Sequence, residues 1–235
     1  MNMEMPTLIY NIVARMHTDL AGKFGIPRQG GVASALRGRI VFEPPYRNAE
    51  ALRGLEDFTH LWVIWDFSEA HAEQWHPTVR PPRLGGNRRM GVWATRSPFR
   101  PNSIGLSSLR IHAIHLHTPE GPVIEVEGPD LMDGTPILDI KPYLPYTDSH
   151  PDATGGFTQT LSSDEQLLRV KIPAEEARHL PPEKLEALRQ VLACDPRPRY
   201  QDDPERLYGM TFAGREVRFR VKDGLATVVE ITVKK

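Results

Sequence analysis

Hydrophobic and polar positions along the 235 residues follow two different rhythms. In roughly the first 145 residues, short segments mix apolar and polar side chains at strand spacing. They are Leu8–Arg15, Arg39–Phe42, Thr59–Phe67, Met90–Thr95, Ile104–His117, Val123–Glu127 and Ile137–Ile140. One helix is predicted among them over Asn48–Leu55, with Asn48 as N-cap and Ala49, Leu52 and Leu55 on one face. The connections are rich in proline and glycine: Gly25-Ile26-Pro27, His76–Gly86, Ser97–Gly105 and Gly128–Pro136. Many short strands joined by loops of this kind predict a barrel or closed sheet whose site is built from loops.

The rhythm changes after about residue 146. Asp148-Ser149-His150-Pro151-Asp152 and Gly155-Gly156 read as a linker spanning about 146–160. Beyond it, Ala174–Leu192 has helical spacing at Leu185, Leu188 and Leu192, interrupted by Pro181-Pro182. Val217, Phe219 and Val221 then alternate with Arg218, Arg220 and Lys222. Asp223-Gly224 turns the chain into Val229, Ile231 and Val233, a hairpin. The expected architecture is therefore mainly β, with a domain at 1–150 and a small α+β domain at 160–235.

Composition narrows the class. Hydrophobic residues make up 40% and charged residues 25%, values of a packed globular chain rather than a disordered one. Glu4, Arg15, His17 and Asp19 interrupt the N-terminal stretch, and Leu61–Trp65, the most apolar run, is only strand-sized. Neither a signal peptide nor a membrane span is expected. A lone Cys194 excludes an internal disulfide framework and any metal site made of cysteines alone. These features read as a cytoplasmic protein.

Charge is unevenly spread. From Gln74 to Pro119 there is no Asp or Glu, but there are seven arginines: Arg80, Arg83, Arg88, Arg89, Arg96, Arg100 and Arg110. The net charge of the whole chain is −1, so the remainder is acidic. Guanidinium groups pair bidentately with phosphate or carboxylate and stack on bases, so the segment fits an anionic partner. Pairing with carboxylates from elsewhere in the fold explains it equally well.

Several familiar chemistries are missing. Gly85-Gly86-Asn87-Arg88-Arg89-Met90-Gly91 lacks the spacing of a dinucleotide loop, and no Walker A sequence occurs. Gly105-Leu106-Ser107-Ser108-Leu109 fails as a nucleophile elbow at its last position. His115 and His117 would share a strand face while His112 points the other way, so no metal site is expected.

Three segments carry residues that packing alone does not require. Lys23-Phe24-Gly25-Ile26-Pro27-Arg28-Gln29 is a proline-stiffened turn presenting Arg28 and Gln29. In Ala94–Leu106, two prolines stiffen a loop that holds Arg96, Arg100 and Asn102. The third, Asp130-Leu131-Met132-Asp133-Gly134-Thr135-Pro136, continues to Asp139-Ile140-Lys141-Pro142-Tyr143. Its acids suit an amine or a sugar hydroxyl, and Lys141 is placed to pair with either Asp130 or Asp133.

Together these segments, P-R-Q, then G-V-x-A-T-R-S-P-F-R-P-N-x-I-G-L-S, then D-L-x-D-G-T-P-x-L-D-I-K-P-Y, resemble the TrmO family, also called YaeB or TsaA-like. His60–Trp65 and Arg80–Gly86 fit as well, so the resemblance spans roughly residues 7–150. Asp195-Pro196-Arg197-Pro198-Arg199-Tyr200 resembles the C-terminal extension of bacterial members. The resemblance implies a single-sheet β-barrel working as a homodimer. It also implies S-adenosylmethionine-dependent methylation of N6 of threonylcarbamoyl-adenosine beside the anticodon of threonine tRNA. By motif position, the cofactor site would comprise Pro27, Arg28, Gln29, Ser68, Glu69, Arg96, Leu106, Asp133, Gly134, Thr135 and Pro136. Arg96 and Asp133 are the expected catalytic pair, and Arg83, Arg88, Arg89, Arg100, Asn102, Lys141 and Tyr143 the expected tRNA contacts. Ser68 and Glu69 replace the His-Gln that bacterial members often carry, and Ser103 stands where the family motif has proline.

This chemistry suits the residues. A sulfonium methyl is already activated, so the protein chiefly aligns N6 with it and excludes water. Proton loss can follow attack, and an anticodon-loop base needs no duplex melting. Two other readings remain open at this point. One is a regulatory module that binds S-adenosylmethionine or a nucleotide without chemistry. The other is a methyltransferase of the same fold acting on another substrate.

Overall fold

Alternation along the chain becomes alternation of burial in the computed structural model, which describes residues 7–71, 74–81, 84, 88–159, 167–197 and 203–233. The N-terminal strands are β1 (Ala14–Thr18), β2 (Arg37–Phe42), β3 (His60–Asp66), β4 (Thr78–Val79), β5 (Met90–Gly91), β6 (Ile104–His115), β7 (Val123–Glu127) and β8 (Pro136–Pro142). Of these, β1-β2-β7-β6-β3-β8 form a closed barrel, β8 returning to pair with β1. Every neighbouring pair is antiparallel. Closure leaves no free sheet edge in the barrel.

β3 shows how the pattern works. Leu61, Val63 and Trp65 point inward with Met16, Ile40, Leu109, Ile124 and Ile137. On the outside, Trp62 lies 5.6 Å from the Tyr143 ring and donates a 2.7 Å hydrogen bond from Nε1 to Asp148 Oδ2. Asp148 ends a short helix, α1 (Pro145–Asp148), within the expected linker and accepts the Leu144 N–H at 3.0 Å. Its carboxyl is held below the ordinary range by the Leu144 N–H and then by Trp62.

Three expected elements differ. The strand over Leu8–Arg15 begins at Ala14, since Leu8, Ile9 and Tyr10 are exposed. The helix over Asn48–Leu55 is two 3₁₀ turns, Ala49–Leu52 and Leu55–Asp57. Asn48 does cap the first, accepting from the Glu50 N–H at 3.0 Å. Met90–Thr95 gives only the two residues of β5 before a 3₁₀ turn at Val92–Ala94.

The C-terminal part contains β9 (Arg169–Lys171), α2 (Ala174–Ala177), α3 (Pro182–Ala193), β10 (Tyr208–Phe212), β11 (Arg215–Lys222) and β12 (Leu225–Val233). The sheet order is β10-β11-β12-β9, with β9 parallel to β12. The predicted hairpin is the β11–β12 pair, and Pro181-Pro182 separates α2 from α3. This core is not self-contained. Leu20, Ala33 and Leu36, from the β1–β2 connection, are fully buried in it beside Leu188, Phe212 and Phe219. One 12-residue helix leaves part of a four-stranded sheet uncovered, and the β1–β2 connection completes the cover.

Candidate functional site

A cavity of about 750 Å³ opens where the C-terminal end of β3 meets the loops around it, a size suited to a cofactor. Its walls are Lys23–Gln29, the turn Asp66–His71, the loop Thr95–Arg100 and the start of β6, with Asp130, Met132 and Thr135 completing it. The chain builds each wall locally. Trp65 lies directly against Gly105, where a Cβ atom would occupy the indole ring. Its Nε1 donates to Ser107 Oγ at 3.0 Å, and its ring packs on Phe67 at a tilt of 54° with the centroids 4.1 Å apart. In the next wall, Thr95 Oγ1 donates to the Val92 carbonyl at 2.9 Å. Arg100 Nη1 then closes the loop on the Thr95 carbonyl at 2.7 Å, lying 5.0 Å over Trp93.

Polar groups converge on the cavity. Arg96 Nη1 donates to Gln29 Oε1 at 2.5 Å, and Gln29 Nε2 donates to the Arg28 carbonyl at 2.5 Å. Lys23 Nζ donates to the Glu69 carbonyl at 2.5 Å and lies 3.9 Å from its carboxylate, joining two walls. Asp66 faces His71 at 2.9 Å. Asp130 is mostly buried, and its Oδ1 has no hydrogen-bond partner among the described residues. Burial raises its carboxyl above the ordinary range. The Ser107 hydroxyl, the backbone N–H groups of Asp130 and Gly30, and the Arg96 charge oppose this without reversing it.

Of the residues named from the sequence, Pro27, Arg28, Gln29, Ser68, Glu69, Arg96, Leu106 and Thr135 line the cavity. Asp133, Gly134 and Pro136 do not. The Asp133 carboxylate accepts from the Thr18 N–H at 3.1 Å and faces His17 at 3.3 Å, while Gly134 bonds to Met16 and Pro136 is buried at the head of β8. The turn thus presents Thr135 to the cavity and spends Asp133 on β1.

The expected tRNA contacts divide. Arg88, Arg89 and Asn102 are exposed, and Arg89 Nη1 also donates to Thr78 Oγ1 at 3.1 Å. Arg100 lines the cavity with its guanidinium tied to backbone. Lys141 pairs with Asp139 at 2.8 Å rather than with Asp130 or Asp133. Like Tyr143, it belongs to the far end of β3, opposite Trp62. Arg83 lies outside the described residues, as do Gly85, Gly86 and Pro198-Arg199-Tyr200.

Sequence reasoning did not single out Trp65, Phe67, Phe99 or Asp130 as lining residues. Asp130 opens the same acidic segment, but its spacing cannot tell which aspartate turns inward. His112 and His115 face Glu127 and Glu125 at 3.0 and 3.4 Å. No group of three or more His, Cys, Asp or Glu able to hold a metal occurs among the described residues. Nor is any helix there long and apolar enough to cross a membrane.

Known proteins share this arrangement. The family model for the tRNA-methyltransferase O N-terminal domain matches residues 15–149, and the TrmO C-terminal domain model matches residues 165–234. A protein named tRNA (adenine(37)-N6)-methyltransferase from Escherichia coli strain K12 is 42% identical over 209 residues, covering 86% of this chain and 88% of its own. One of the same name from Eikenella corrodens is 48% identical over 172 residues, 73% of this chain and 95% of its own. The crystal structure of TrmO from Pseudomonas aeruginosa superposes with a TM-score of 0.78 at 31% identity, covering 97% of this chain and all of that one. The N-terminal and C-terminal parts therefore both have their counterparts in one set of proteins, and the chain belongs to the tRNA-methyltransferase O family.

Proposed function

We propose that this chain methylates N6 of adenine 37 in tRNA, using S-adenosylmethionine, and that the adenine is a threonylcarbamoyl-adenosine in threonine tRNA. The observation that carries the reading is the cavity itself. It brings the three unusual segments of the sequence to one place, in a chain of the tRNA-methyltransferase O family.

The cavity residues fit the cofactor's chemistry. Trp65, Phe67, Phe99 and Leu106 offer apolar surface to an adenine ring, while Arg28, Gln29 and Arg96 suit the methionine carboxylate. Asp130, with an unpartnered buried oxygen, takes a hydrogen-bond donor such as an ammonium, hydroxyl or amine N–H. When bound, the cofactor supplies a methyl group activated by its sulfonium. The protein's part is then to align N6 with that methyl group and keep water away. Arg28, Gln29, Arg96 and Asp130 would hold the cofactor, which would supply the methyl group to N6, and the N6 proton would pass afterwards to a carboxylate or to water.

We also propose a homodimer formed by residues 1–150. The outer face of β3 gives it no support, because Trp62 is covered within the chain by Tyr143 and Asp148. Exposed apolar side chains gather instead at the cavity, where Phe99, Ile104 and Leu106 line it and exposed Trp93 packs on Arg100 of its wall. A single-chain mass by light scattering would refute this part. For the activity, purified protein should transfer labelled methyl to threonine tRNA carrying threonylcarbamoyl-adenosine. Transfer to other RNA alone would replace the substrate, and cofactor binding without transfer would leave a regulatory module.

A further inference from the structure

The segment that carries Pro27, Arg28 and Gln29 is anchored on the C-terminal sheet. At its start, Lys184 Nζ of α3 donates to Asp19 Oδ2 at 2.6 Å, and the Ala213 N–H donates to the Asp19 carbonyl at 3.0 Å. Leu20 then forms a bridge with Phe212 at the end of β10. Phe24 packs against both Tyr208 and Phe219, with ring centroids 6.4 and 6.3 Å away, and those two rings also meet each other at 5.6 Å. Gly25 follows with φ +99°, packed so closely on Met210 that a Cβ atom would strike the end of that side chain. Pro27, Arg28 and Gln29 come next, in the cavity wall. Further on, Gln190 Oε1 of α3 accepts the Ala35 N–H at 2.8 Å. The barrel side holds the same segment through hydrogen bonds of its own, from Gly128 to Gly31 and Leu36, from the Asp133 N–H to the Leu20 carbonyl, from Arg96 to Gln29 and from Lys23 to Glu69, but contributes none of the aromatic packing around Phe24.

We infer that the C-terminal sheet and α3 hold one wall of the cofactor cavity in place, so that Lys184, Gln190 and Met210 are positioning residues for cofactor binding. None of the three lines the cavity, and each acts through the 19–36 segment. A wall fixed beforehand binds without first ordering a loop, and a loosened one must be ordered by the ligand. The inference rests on reading the cavity as the S-adenosylmethionine site. It assigns to the C-terminal part a function different from contacting tRNA through the basic outer face of β11, where Arg218 already pairs with Glu216 and Glu230.

The test compares the full-length wild type with the double variant Lys184→Met/Gln190→Leu. The substituted side chains lie outside the buried row Ala187, Leu188, Val191 and Leu192 of α3. Calorimetric titration with S-adenosylhomocysteine should show affinity weakened roughly three- to tenfold, the effect of loosening one or two hydrogen bonds. Amide exchange should quicken at residues 28–31, while tRNA affinity measured without cofactor stays at the wild-type value. Lys184→Arg keeps a cation on Asp19 and should bind as the wild type does. Gly25→Ala perturbs the same contact from the loop side and should also weaken binding, whether or not the double variant folds. Unchanged S-adenosylhomocysteine affinity in both the double variant and Gly25→Ala overturns the inference. So does tRNA affinity that falls in step with cofactor affinity. A wild type that does not bind S-adenosylhomocysteine overturns the reading of the cavity itself.

Discussion

Arg96 and Asp130 meet the cavity under opposite conditions. Arg96 is exposed and steered by one hydrogen bond to Gln29, so it is available to a ligand and its removal leaves no buried group unpaired. Arg96→Ala should keep its melting temperature and lose roughly 1.5–3 kcal/mol of transition-state stabilisation, a ten- to hundredfold fall in kcat/KM. Near-wild-type kinetics in a folded variant would remove Arg96 from the site. Asp130 is mostly buried, and its carboxyl is raised by desolvation above the ordinary 3.8. A carboxyl whose folded value exceeds its unfolded one favours the folded state fully below the unfolded value. That contribution disappears as pH rises through the folded value. At pH above the ordinary carboxylate range the raised Asp130 carboxyl therefore opposes folding. Asp130→Asn should raise the melting temperature at pH 7 relative to wild type, narrow the gap near pH 4, and slow methyl transfer. A variant less stable at pH 7, or one with full activity, contradicts the placement.

At the scale of elements, β3 and β6 set the cavity's depth. Gly105 sits opposite Trp65 in the register and leaves the space that the indole fills. Gly105→Ala should displace Trp65 and Phe67, destabilising the fold by about 1–3 kcal/mol and weakening cofactor binding. Cofactor affinity equal to wild type would mean that Trp65 is not part of the binding wall. The inward alternation of Leu61, Val63 and Trp65 made β3 readable from sequence, as did that of β6 and β11, while β7 and β8 were readable as short, mostly apolar runs. Local pattern failed where tertiary packing decides. Met90–Thr95 has strand-like composition, yet only Met90 and Gly91 find a partner, in β4. Leu20, Phe24 and Leu36 read as part of a connecting loop, because the sheet that buries them lies far along the sequence. Eight residues named through the family resemblance line the cavity, whereas proline and arginine by themselves mark a shaped loop and not which of its side chains face inward. That Asp130 rather than Asp133 faces the cavity was not legible, because which acid turns inward depends on how the turn docks on β1.

For the whole molecule, the arginine-rich segment of an otherwise acidic chain has divided its work. Arg100 closes a loop and Arg96 lines the cavity beside Gln29, whereas Arg80, Arg88, Arg89 and Arg110 are exposed outside it. Binding of tRNA should therefore weaken with salt with a logarithmic slope of about −3, as for roughly four single-strand phosphate contacts. A flat salt dependence would make the segment purely structural. A slope of about −5 would draw in all seven arginines. The central claim is the reaction, and mass spectrometry of tRNA nucleosides from cells with and without this gene reads it directly. With the gene, threonine tRNA should carry N6-methylated threonylcarbamoyl-adenosine at position 37, and without it the unmethylated nucleoside should accumulate there. Identical nucleoside profiles in the two strains would contradict the account.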